Sequence, residues 1–126
     1  MSRILVADDC PDQLQVQKMV LEAGGHEVAV ATCPTEAANS VERGEADLLI
    51  MDLKFPNAQG DQDAGEGLAL IRRIRQCGCR IPVIVLSGWP DEIYGEPEEQ
   101  MVSHVLVKPV GMAALLAIIA RLVRAG

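Results

Sequence analysis

The chain has 126 residues, 49% of them hydrophobic, and a formal charge of −7 at neutral pH. That length suits one domain with a two-sided core. The acidic balance excludes a general nucleic-acid binder, which needs a basic face, and one Trp, one Tyr and one Phe cannot build a base-stacking platform; direct DNA binding is not expected.

The longest apolar stretch, Met112 to Ala120, falls far short of a membrane span. The N-terminal apolar run is too short for a signal peptide. Both observations predict a cytoplasmic protein with no membrane partner. Cys10, Cys33, Cys77 and Cys79 are then expected to be reduced. Cys77-Gly78-Cys79 lacks a second pair or a His at ligand spacing, so no metal is expected there.

In chain order, Arg3 to Ala7 reads as a short apolar strand ending in Asp8-Asp9. Cys10-Pro11 opens a helix, since Pro is at home in a first turn. Val16, Met19, Val20 and Ala23 recur there at helical spacing, and Gly24-Gly25 ends it. His26 to Ala31 alternates as a second strand, with Val28 and Val30 on one face. Pro34 begins a second helix with Ala37, Ala38 and Val41 as its apolar face, closed by Gly44. Leu48-Leu49-Ile50-Met51 is a third strand, buried on both faces, and it delivers Asp52.

Residues 53–66 read as a long loop. Leu68, Leu70, Ile71 and Ile74 define a third helix, recognisable from Gly67, with Arg72, Arg73 and Arg75 on its solvent side. Ile81 to Leu86 is a fourth strand ending at Ser87. Gly95 and Pro97 break residues 89–103, which predicts at most a short helix over 97–102. Val105-Leu106-Val107 is a fifth strand leading to Lys108-Pro109, and Met112 to Val123 is a final helix.

Five alternations of strand and helix predict an α/β fold: a doubly wound parallel sheet with helices on both faces. In such a sheet all strand ends lie on one edge, so Asp8, Asp9, Asp52, Ser87 and Lys108 converge. Three carboxylates together repel one another. A divalent cation relieves this, and all-oxygen ligation favours Mg²⁺. Asp9 and Asp52 are candidate direct ligands, with Asp8 holding metal-bound water. A carboxylate can also attack phosphorus to give an acyl phosphate. Asp52 is therefore the candidate phosphoacceptor, Lys108 its counter-charge, and Ser87 a hydroxyl that bonds a phosphoryl oxygen only once one is present.

This constellation resembles the receiver domain of two-component response regulators. The matching residues are Asp8-Asp9, Asp52, Pro56 four residues beyond it, Ser87, and Lys108-Pro109, in order and each after its strand. The resemblance implies a flavodoxin-like fold with strand order 2-1-3-4-5. It implies phosphotransfer from a histidine kinase or phosphotransfer protein to Asp52, output through contact with a downstream protein, and Mg²⁺ bound by Asp9, Asp52 and the backbone carbonyl of Lys54. It also implies that the bond before Pro109 is often cis. Catalysis is confined to self-phosphorylation and dephosphorylation.

The chain departs from that pattern in two places. The family has a glycine eight residues after the acceptor, where Gly60 stands, yet the helix reads from Gly67; the difference is a seven-residue insertion. The expectation for this insertion, with Asp61, Asp63 and Glu66, is a solvated acidic loop, against a lid or partner-specific edge beside Asp52. A calcium loop is excluded because Gly65 falls on a ligand position and the distal Glu is missing. The second departure is the segment from Trp89 to Ser103, where a fourth helix is short or disordered. Val105 also replaces the aromatic that would report on Ser87. Trp89 and Lys54 fall at positions flanking the phosphoryl site.

His26 and His104 have no partner at ligand spacing and read as ordinary edge or surface residues. The last helix is apolar on more than one face, which fits either a dimer surface or deep packing on the sheet. The chain is expected to be a single domain over residues 1–126 with no output domain. Three functions compete. The first is a phosphorylation-controlled receiver. The second is a pseudo-receiver whose partner binding ignores phosphate. The third is an enzyme on the same topology, disfavoured because Lys54 stands where an aspartyl phosphatase needs a second acid.

Overall fold

A computed structural model describes residues 2–125. Among the described residues there are seven strands: β1 (Arg3–Ala7), β2 (Glu27–Ala31), β3 (Leu48–Asp52), β4 (Phe55–Pro56), β5 (Gln62–Asp63), β6 (Val83–Ser87) and β7 (His104–Val107). Among the same residues four α-helices accompany them: α1 (Pro11–Ala23), α2 (Pro34–Glu42), α3 (Ala64–Gln76) and α4 (Met112–Ala125). Five strands form one parallel sheet in the order β2-β1-β3-β6-β7. This is the expected 2-1-3-4-5 order once the small hairpin β4-β5 is set aside.

Strand alternation builds two cores, because successive side chains point to opposite faces. Leu5, Ala7, Leu49, Met51, Val83 and Val85 face α2 and α3. Ile4, Val6, Leu48, Ile50, Ile84 and Leu86 face Leu14 and Leu21 of α1 and Leu115 and Ile119 of α4. The central strand β3 is therefore sealed on both sides, with Leu48 to Met51 fully buried. That seal fixes where its carboxyl-terminal Asp52 emerges.

Several elements differ from the expectations. On α1 the core-facing residues are Leu14 and Leu21, whereas Val16 and Met19 are 57% and 67% exposed. Leu14 and Leu21 are two turns apart, and the polar Gln17 lies between them on the same side. A count of apolar residues therefore chose the outer face. On the edge strand β2, Val28 packs against the core while Val30 stays exposed.

Helix α3 begins three residues earlier than expected, at Ala64. Asp63 caps it, its Oδ1 accepting from the Gly65 amide at 2.8 Å. Gly67 is nonetheless special, since a Cβ there would collide with the Leu53 carbonyl oxygen. The close approach of helix to chain that needs glycine occurs at Gly67, and Gly60 serves a turn with φ of +84°.

Arg75 does not face solvent as expected. Its guanidinium donates to the carbonyls of Met101, Cys79 and Ile81 at 2.7–3.0 Å. With Arg72 on the buried Glu98 at 2.8 Å, it straps residues 97–101 to α3. That segment is a 3₁₀ turn (Pro97–Met101), preceded by another at Pro90–Glu92, so no α-helix forms between β6 and β7. The apolar excess of α4 packs inward: Met112, Leu116, Ile118, Leu122 and Val123 lie against the second core. Among the described residues no helix is long and apolar enough to cross a membrane.

Candidate functional site

Asp8, Asp9 and Asp52 each offer a carboxylate oxygen, and these oxygens all lie within 4.8 Å of one another. Asp8 and Asp9 follow β1 directly, while Asp52 ends β3, which pairs with β1 from Ile4–Leu48 to Ala7–Met51. Register thus sets the acids side by side. Asp8 is buried, and its Oδ1 accepts from the Cys10 amide at 3.0 Å. Burial pushes the Asp8 carboxyl above its usual range; the Cys10 N–H opposes this, and the neighbouring charge of Asp52 adds to it.

Lys108 arrives from the far end of β7. Its Nζ lies 3.0 Å from Asp52 Oδ2, with both side chains largely withdrawn from water. The Lys108 amide donates to the Ser87 carbonyl at 2.9 Å, which holds the ends of β6 and β7 together. The Lys108–Pro109 peptide is cis. Ser87 is buried, and its Oγ accepts from the Trp89 amide at 3.0 Å. An acceptor hydroxyl still has its hydrogen to donate. The Asp52 Oδ1 accepts from the Lys54 amide at 3.4 Å.

All five residues singled out in the sequence by side chain therefore meet on one sheet edge. The donor set suits a hard cation: three carboxylates gathered without any thiol or imidazole among them. Among the described residues no other cluster of His, Cys, Asp or Glu has metal-ligating geometry. Cys77 and Cys79 do not join one. The Cys77 thiol donates to the Ile74 carbonyl, and Cys79 packs against the first core.

Two neighbours of the site were missed from sequence. Gln62 in β5 donates from Nε2 to Asp9 Oδ2 at 2.8 Å. Glu92 lies 2.9 Å from Lys54 Nζ and ties the turn after Trp89 to the loop after β3. The expected long loop over 53–66 instead contains a small hairpin anchored by buried residues, while Gly60, Asp61 and Gln62 in the insertion stay exposed. Leu53 and Phe55 have no exposure, and Asn57 Oδ1 accepts from the amides of Gln59 and Asp61. Asn57 and Gly60, spaced for a tight turn between short strands, were the available signal. Trp89 itself is 62% exposed.

Residues 4–120 match the family model described as response regulator receiver domain. The chain is 35% identical over 96 residues to the virulence transcriptional regulatory protein PhoP of Salmonella typhimurium, covering 74% of this chain and 40% of PhoP. It is 30% identical over 125 residues to the transcriptional regulatory protein PrrA of Mycobacterium bovis, covering 97% of this chain and 50% of PrrA. The chain thus spans half or less of the length of these relatives. Among solved structures it resembles the response regulator TrrA of Thermotoga maritima, crystallised in complex with Mg²⁺-BeF, with a TM-score of 0.82 at 25% identity over 97% of this chain and 99% of that one. A response regulator receiver domain protein of Clostridium thermocellum gives a TM-score of 0.83 at 28% identity over 99% and 96% of the two chains.

Proposed function

The chain belongs to the response regulator receiver domain family, and from that premise we propose that Asp52 accepts a phosphoryl group from the phosphohistidine of a kinase or phosphotransfer protein. The observation that carries this reading is the pairing of Asp52 Oδ2 with Lys108 Nζ at 3.0 Å beside two further carboxylates. A carboxylate oxygen of Asp52 attacks phosphorus, the phosphorus–nitrogen bond of the donor breaks, and the imidazole leaves with the electron pair. Phosphoryl transfer is mostly positioning and charge neutralisation. Lys108, beside the Asp52 carboxylate, supplies a positive charge where the phosphoryl oxygens arrive. The Ser87 hydroxyl, held by the Trp89 amide, donates to a phosphoryl oxygen once it is there. Asp9, Asp52 and the Lys54 carbonyl would hold Mg²⁺, and Asp8 would orient its waters. Bound there, Mg²⁺ neutralises phosphoryl charge and lifts the repulsion among the three acids.

Output then passes by contact to a downstream protein. The test is Mg²⁺-dependent labelling by a small-molecule phosphodonor. Wild type should label at one site and Asp52→Asn should not. Equal labelling of both would remove Asp52 from the mechanism.

A second reading draws on the segment between β6 and β7. Arg72 and Arg75 strap it to α3, and Val105 occupies β7 where an aromatic would move. A pseudo-receiver would bind its partner equally with and without a phosphoryl mimic, and that comparison separates the two.

A further inference from the structure

Gln62 has no part in the reaction just described, yet its carboxamide reaches across 53 residues of sequence to Asp9. The orientation is chemically fixed, because the opposite flip would set two acceptor oxygens together. The arm that carries it is firmly built. Phe55 is fully buried and pairs with Asp63, while Pro56 pairs with Gln62 itself. Asn57 N donates to the Asp61 carbonyl at 2.8 Å, Asn57 Oδ1 holds two further amides, and Asp63 caps α3. Residues 55–63 are therefore a braced hairpin whose second strand points one donor at one acid.

We infer that Gln62 is a positioning residue that fixes the Asp9 carboxylate for the divalent cation of the Asp8–Asp9–Asp52 cluster, an inference that rests on the phosphoacceptor reading. The other two acids are already oriented. Asp8 accepts from the Cys10 amide, and Asp52 from Lys108 and the Lys54 amide. Among the described hydrogen bonds, Gln62 alone holds Asp9. A carboxylate has about four lone-pair sites, so one amide leaves room for a cation. A neutral donor also offsets repulsion without adding a positive charge that would compete with the metal. Hydrogen bonds that fix a ligand in this way typically carry about 10–100-fold in metal affinity.

The test is calorimetric titration of the full chain with magnesium chloride, comparing wild type with Gln62→Met and Gln62→Ala. Methionine keeps the length of the side chain and removes the N–H. Both substitutions should weaken Mg²⁺ binding about tenfold and leave the metal-free unfolding midpoint in place. Unchanged or tighter Mg²⁺ binding by Gln62→Met, with its fold intact, overturns the inference. Where Gln62→Ala disturbs the hairpin, Gln62→Met alone decides. Failure of wild type to bind Mg²⁺ overturns the metal site and this role together. Weakened binding by Gln62→Met, with no labelling of Asp52 in wild type, supports the role of Gln62 and removes the phosphoacceptor reading instead.

Discussion

Lys108 Nζ stands 3.0 Å from Asp52 Oδ2 across 56 residues of sequence, and both side chains are mostly shielded from water at 28% and 17% exposure. In that setting a fixed positive charge acts more strongly than it would in bulk water. Replacing Lys108 by Met should slow phosphoryl transfer to Asp52 by about 10²–10³-fold, the usual cost of one preorganised electrostatic contact. Mg²⁺ affinity should not fall, because Asp52 loses a competing cation. Rates of labelling at saturating Mg²⁺, set beside a metal titration, measure both effects.

Asp8 is buried next to Asp52, and burial raises its carboxyl above the ordinary range. The fold therefore carries a cost at neutral pH for keeping that group ionised. Asp8→Asn removes the charge, while an amide oxygen can still accept from Cys10. In metal-free buffer this variant should melt a few degrees higher than wild type. It should lose the stabilisation that Mg²⁺ confers, which for wild type reaches about 2.7 kcal/mol at a hundred times Kd. Thermal melts with chelator and with added Mg²⁺ check both directions.

Gly67→Ala should destabilise the protein by about 1–3 kcal/mol or more, since the new Cβ meets backbone atoms of Leu53 that cannot move aside. Gly60→Ala should cost about 1–2 kcal/mol for its positive φ alone, in open space. Urea midpoints of the two variants should rank in that order. The reverse order would mean that α3 can shift off β3.

Arg72 holds the Glu98 carboxyl below its usual range. A carboxylate lowered in the folded state adds stability that is fully present above its unfolded pKa of about 4.3 and is lost as pH falls through the folded value. The pair should contribute about 1 kcal/mol, because the Arg72 side chain is 47% exposed. Wild type should exceed Glu98→Gln in urea midpoint from pH 6 to 8, and the two curves should converge in acid below about pH 4.

Much of this molecule was legible in its residues because the signals were local. The run Leu48 to Asp52 is apolar enough to be nothing but a buried strand, and it fixes which carboxylate is delivered to the sheet edge. The punctuation at Pro11, Pro34 and Gly44 marked the helices. The convergence of Asp8, Asp9, Asp52, Ser87 and Lys108 followed from strand alternation, since parallel strands share one carboxyl edge.

Tertiary structure decided what depends on partners distant in sequence. Which face of α1 is buried could not be counted from its apolar residues, because the sheet accepts Gln17 between Leu14 and Leu21 and leaves Met19 in water. Arg75 looked like a surface charge until the carbonyls of Met101 and Ile81 came within reach of it. The acidic insertion 60–66 is largely solvated, as expected, but its pairing with residues 55–56 was not legible. Phe55 buries the hairpin's first strand and Asn57 closes its turn, and only that packing carries Gln62 to Asp9. Strand periodicity is written in neighbouring residues. A hydrogen bond across 53 positions exists only once the chain has folded, because its geometry is set by everything between.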